Sequence, residues 1–251
     1  MAKSEPVIIS PQTRNFSILP NLTIPLIVFT VTVAGEYFFR HYVLFWLPVI
    51  GNLNVNDMIS LLLAYTILAL ICGMALHLNW INELKKVGYA LNQLIKRWDK
   101  TIWALLVMLS LVILPYADQF LWQGIKLPMV VSSYQNPIKW LVSFAPVLKI
   151  ISLISVNGLF IPIAEEFLWR GIIQVRLLRI FSKPMAIGIT ALLFSLKHVI
   201  VDASFGRFLT LLAFGIICGI VAQKKDWYAS AAIHLFVNTA TTIMGLIMGL
   251  S

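Results

Sequence analysis

The run Glu165-Glu166-Phe167-Leu168-Trp169-Arg170-Gly171 puts three ionisable side chains inside an otherwise apolar stretch. Leaving any of them unpaired in hydrocarbon is costly, so they must face one another or water. Glu166 and Arg170 are four residues apart with the acid on the N-terminal side, the favourable orientation for a helical ion pair. Glu165 lies about 100° around the helix from Glu166. The pattern predicts that Arg170 neutralises Glu166 while Glu165 is left to take or give a proton in a dry site. A structural ion pair, with Glu165 merely at a membrane surface, would leave the same sequence.

Two later stretches also carry reactive side chains, Phe194-Ser195-Leu196-Lys197-His198 and His234-Leu235-Phe236-Val237-Asn238. His234 and Asn238 are spaced i, i+4 and share a helix face. Both could aim a donor at one point, as stabilising a developing oxyanion requires. A histidine alone on an apolar helix is more often a packed, hydrogen-bonded residue. Here two of the 4 His fall in apolar stretches downstream of the double Glu.

In that order, the three stretches resemble the EExxxR, FxxxH and HxxxN motifs of the CAAX-protease and bacteriocin-processing family, also called the Abi family. The resemblance covers Pro162 to Thr239. Gly215 and Gly219 stand between the last two motifs, where the family often has small residues for close helix packing. Trp169 replaces a common Phe, and Lys197 beside His198 is a second departure. The resemblance implies an intramembrane glutamic endopeptidase in which Glu165 is the general base and His198 helps to hold and polarise water. His234 and Asn238 would form the oxyanion hole, with Glu166 and Arg170 as a structural ion pair. It also divides the chain into an N-terminal transmembrane region, 1–137, and a protease core, 138–251.

The elements that must position these groups are membrane helices. Of the 251 residues, 60% are hydrophobic and 12% charged, against about 25% charged in soluble domains. Apolar runs near 22–39, 57–80, 101–122, 139–157, 159–180, 185–201, 207–223 and 228–249 approach the roughly 20 residues that a span needs. The predicted fold is an all-α polytopic membrane bundle of about seven or eight transmembrane helices. His41 to Ile50 is apolar but short, and reads as an interfacial or re-entrant piece.

The connection Glu83 to Lys100 holds Lys85, Lys86, Lys96, Arg97 and Lys100, and the positive-inside rule places it in the cytoplasm. Arg176, Arg179 and Lys183 ask for the same side, yet three full spans after Lys100 would put them opposite. Asn157, Gly158 and Pro162 therefore predict a break or tight turn before a new helix. Such a break is tolerated only beside protein or a wet cavity.

The 19 Lys and Arg against 10 Asp and Glu are what basic cytoplasmic loops require, so nucleic acid is not an expected partner. Cys72 and Cys218 sit singly in apolar runs and are predicted to pack rather than to form a disulfide. The expected partners are the lipid bilayer and a membrane-associated protein or peptide substrate, in the cell membrane. No cofactor is required. The nearest rival is a zinc peptidase with Glu165, His198 and His234 as ligands, although no HExxH sequence is present. A transporter lined by buried Glu, His, Lys149 and Arg, and a non-catalytic immunity or scaffold protein, are the readings outside enzymology.

Overall fold

The computed structural model describes residues 18–39, 49–50, 53–96, 113–125, 127 and 150–247. It is an all-α bundle. Helix α1 is Ile18–Phe38, α2 is Val55–Ala75 and α3 is Trp80–Lys96. Helix α4 is Ile150–Leu177, α5 is Lys183–Asp202, α6 is Phe208–Lys224 and α7 is Trp227–Ile247. Between α1 and α2, Val49–Ile50 pairs antiparallel with Leu53–Asn54 in a two-residue ladder.

Among the described residues α1, α4 and α5 are long and apolar enough to cross a membrane, and the bent pair α2–α3 would make a fourth span. Helix α6 is apolar but shorter. The expected span 101–122 and the start of 139–157 lie largely outside the described residues, as does Lys149.

In α1 the buried positions Asn21, Pro25, Val28, Thr32 and Glu36 recur every three or four residues, the spacing of one helix face. The opposite face exposes Leu19, Leu26 and Ile27, as a lipid-facing surface does. Thr32 donates its hydroxyl to Val28 O at 2.6 Å, which satisfies a polar group that hydrocarbon would otherwise penalise. One stripe of α2 buries Ala64, Tyr65, Leu68 and Ala69 in the same way.

Helix α2 ends in a Schellman motif. His77 takes φ 52°, its N–H bonds Met74 O at 3.0 Å, and Leu78 N–H bonds Gly73 O at 2.8 Å. The chain then turns by 111° into α3. Gly73 permits the fold-back, since a Cβ there would lie 2.5 Å from Trp80 Nε1. The expected basic connection after Glu83 is thus largely a helix. It buries Val87 and Leu94 and is tied to α7, where Lys86 Nζ donates to Tyr228 Oη at 3.0 Å and Tyr228 Oη donates to Glu83 Oε2.

The predicted break at Asn157, Gly158 and Pro162 is corrected by the structure, because Ile150–Leu177 runs as one helix. Two wide turns, Leu153–Phe160 and Phe167–Gln174, take π-helical bonding within it. Ile161 N–H reaches Val156 O, five residues back. Pro162 has no N–H to give the ladder. Side chains from α7 supply donors instead: Asn238 Nδ2 to Asn157 O and Thr239 Oγ1 to Gly158 O, both at 3.2 Å. The carbonyls that a proline frees are satisfied laterally, so the helix need not break.

The later helices pack closely. A Cβ on Gly215 of α6 would lie 3.0 Å from Ala191 Cα of α5, so a glycine is what allows these backbones to approach. Asp118, from a helical stretch at 113–121, accepts the N–H groups of Leu209 and Thr210 at 2.7 and 2.9 Å. It caps the first turn of α6 from a distant part of the chain. Asp226 caps α7 by accepting Ala229 N–H at 2.8 Å.

Candidate active site

Glu165 and Glu166 lie just before the second wide turn of α4, both buried. Glu166 is saturated with partners. Its Oε1 takes Arg170 Nη1 at 2.8 Å and faces His234 Nδ1 at 2.9 Å, while Ser230 donates to Oε2 at 2.5 Å. Arg170 also reaches Gly215 O at 3.1 Å and stacks over the Phe194 ring at 4.9 Å. The Glu166–Arg170 pair therefore ties α4 to α6 and α7, and Glu166 fixes the His234 ring by occupying its Nδ1.

Glu165 faces a different set of groups. Tyr65 Oη of α2 donates to Oε1 at 2.7 Å, and Lys197 Nζ of α5 lies 3.3 Å away. His198 Nε2 is 3.8 Å from Oε1, and His234 Nε2 is 3.8 Å from Oε2. These two gaps are too long for direct hydrogen bonds, but one oxygen atom between the partners could touch both. His198 Nε2 is buried and has no hydrogen-bond partner among the described residues. Its Nδ1 lies 3.8 Å from Asp202 Oδ2. Phe194 meets the His198 ring edge to face at 5.1 Å and Phe214 meets the His234 ring at 4.6 Å, so aromatic walls hold both imidazoles in place.

The structure thus brings Glu165, His198 and His234 together. It puts Glu166 and Arg170 directly behind them. Asn238 lies one turn beyond His234, half-buried, with Nδ2 on Asn157 O; its second N–H is available for another acceptor. Three members of the cluster escaped sequence reasoning. Tyr65 and Glu36 come from the first two helices, with Tyr65 Oη 3.2 Å and Lys197 Nζ 2.7 Å from Glu36 Oε2. Ser230 is the third. Glu36 carried a usable signal, as an acid inside an apolar span; Tyr65 and Ser230 carried none. The cluster draws on residues from both sides of position 137.

Among the described residues no group of three or more His, Cys, Asp or Glu side chains is placed to hold a metal ion. The Lys197 ammonium beside Glu165 also sets a fixed positive charge against the oxygen that a zinc ion would need. A cavity of about 590 Å³ between α3, the end of α6 and the start of α7, reaching Lys85, Tyr89, Lys225 and Ile233, contains none of the clustered groups.

Every side chain of the cluster except Glu36 and Tyr65 lies within residues 146–240, which match the family model for the Type II CAAX prenyl endopeptidase Rce1-like proteins. This is a family of membrane proteases. The match covers well under half of the chain and agrees with the CAAX-protease and bacteriocin-processing family that the three motifs resemble. It supports a CAAX-type protease acting on a membrane-associated protein. No curated protein and no solved structure matches the chain.

Proposed function

We propose that this chain is a glutamic intramembrane endopeptidase that hydrolyses a peptide bond in a membrane-associated protein or peptide, of CAAX or bacteriocin type. The observation that carries the reading is the pair of 3.8 Å gaps that set His198 Nε2 and His234 Nε2 against the two oxygens of Glu165. A water in that space would touch a carboxylate and an imidazole at once. Glu165 takes its proton, the water oxygen bonds the scissile carbonyl carbon, and the carbonyl oxygen becomes an oxyanion. Collapse of the tetrahedral intermediate breaks the C–N bond, and the proton on Glu165 passes to the leaving amine.

His198 polarises the water through its unengaged Nε2. His234 and Asn238 form the oxyanion hole. With Nδ1 held by Glu166, His234 presents only Nε2 to substrate, and that nitrogen donates a hydrogen bond when the ring is the imidazolium. Glu166 and Arg170 are the structural pair that orients it. Residues 138–251 form the protease core within this reading, completed by side chains from 1–137, and the protein resides in the cell membrane. No metal is assigned a step.

The test is cleavage of prenylated and unprenylated CAAX peptides, and of a bacteriocin-type precursor, by the protein reconstituted in vesicles. Wild-type turnover that survives extensive chelation and disappears in Glu165→Gln is the expected result. Activity that a chelator abolishes and Zn²⁺ restores would replace the glutamic reading with the metal one. Equal cleavage by the Glu165→Gln protein would remove Glu165 as the base.

A further inference from the structure

Lys197 lies against two carboxylates at unequal distances. Its Nζ is 2.7 Å from Glu36 Oε2 but 3.3 Å from Glu165 Oε1. All three side chains are almost wholly buried, so none of these charges is screened by bulk water. Lys197 Nζ also sits 5.4 Å from the centre of the Tyr65 ring, whose hydroxyl reaches both carboxylates. Glu36 and Tyr65 fall outside the matched segment 146–240, so the family resemblance assigns them nothing.

We infer that Glu36 is a positioning residue that draws the Lys197 ammonium toward itself and so lengthens its bond to Glu165. A lone ammonium beside a lone buried carboxylate would close to a direct ion pair of about 2.8 Å. A carboxylate locked in such a pair is a poor proton acceptor and has an oxygen covered. With Glu36 as the nearer anion, Lys197 is drawn toward α1. It keeps only a long bond of 3.3 Å to Glu165 Oε1, and Oε2 of Glu165 stays directed at His234. Tyr65 fixes the spacing by donating to the same Glu165 oxygen from the α2 side.

The inference rests on Glu165 as the base, and its experiment separates the two ideas. Glu36→Gln frees Lys197 to close on Glu165, and Lys197→Met leaves two buried carboxylates within about 6 Å of each other, since both reach one nitrogen, a strong mutual repulsion in a low-dielectric site. Each single variant should therefore lower kcat while KM stays near the wild-type value. The double variant Glu36→Gln/Lys197→Met removes one charge of each sign and leaves Glu165 with Tyr65, His198 and His234. It should turn over faster than either single variant, by at least about threefold, within the coupling of roughly 2- to 150-fold seen for residues in contact.

A role confined to holding the fold would instead lower the unfolding midpoint of each single variant while kcat per folded enzyme stays at the wild-type value. That outcome, with Glu165→Gln inactive, overturns the positioning role and leaves the base intact. Should Lys197→Met not fold, Glu36→Asp takes its place: the charge is kept and its reach shortened, so kcat should recover at least threefold over Glu36→Gln. An equal kcat for Glu36→Asp and Glu36→Gln would also overturn the role. An active Glu165→Gln protein refutes the base itself.

Discussion

Arg170→Leu removes the guanidinium bonded to Glu166 at 2.8 Å, a pair in which both side chains are fully buried. Three interactions go with it: the bond to Glu166, the bond from Nη2 to Gly215 O at 3.1 Å, and the stack on Phe194 at 4.9 Å. Removing one partner of a buried pair costs about 3–5 kcal/mol, because the other charge stays behind without compensation. For a chain of this size 1 kcal/mol corresponds to about 2–4 °C, so the unfolding midpoint should fall by roughly 6–20 °C. The assay is thermal unfolding in detergent, followed by intrinsic fluorescence beside size-exclusion elution, with peptide cleavage measured on the same samples. Glu166→Gln should behave alike, since it strands the guanidinium. The combined variant should be less damaged than either single one. A wild-type midpoint for Arg170→Leu refutes the reasoning. A stable but inactive Glu166→Gln protein means that the two carboxylates have exchanged roles.

Glu165→Gln should abolish cleavage with an unfolding midpoint within a few degrees of wild type, because Gln keeps the shape and the acceptor for Tyr65 but cannot take the proton; a large drop in midpoint would make Glu165 structural. Asn238→Ala should lower kcat by about 10²–10³ with KM nearly unchanged, and a raised KM at constant kcat would remove Asn238 from the oxyanion hole. Because Asn238 also serves Asn157 O, the same variant should lose about 1 kcal/mol of stability, read as a small fall in midpoint. Gly215→Ala should destabilise by about 1–3 kcal/mol by overpacking, since its methyl would meet the α5 backbone at 3.0 Å; an unchanged midpoint would show that α5 and α6 separate freely.

What the sequence disclosed and what it hid divide along one line. The Glu166–Arg170 bond spans four residues of one helix, so local geometry dictates it. Likewise the placement of His234 and Asn238 on one face follows from their spacing. The approach of His198 and His234 to Glu165 could be inferred only because intramembrane ionisable groups must face one another. By contrast, nothing local links Glu36 or Tyr65 to Glu165, at separations of over a hundred residues for the first and 100 for the second; only the packing of α1 and α2 on α4 and α5 does so. The break expected at Pro162 failed for a related reason. A proline removes one donor, and sequence cannot show that a neighbouring helix will replace it with Asn238 and Thr239. The turn at His77 was equally hidden, since a left-handed non-glycine residue leaves no compositional mark.

The ion pair between Glu36 and Lys197 also bears on the order in which the protein is made. Its partners are separated by roughly 160 residues, so at about 5–20 residues per second α1 is synthesised about 8–30 s before its ammonium exists. Glu36 lies near the end of α1, and its carboxylate meets the Lys197 ammonium only after α5 has been made. Final seating of the first helix is thus a late event in biogenesis. Chains that stop before Lys197 should carry an α1 that lacks this ammonium and is open to membrane quality control.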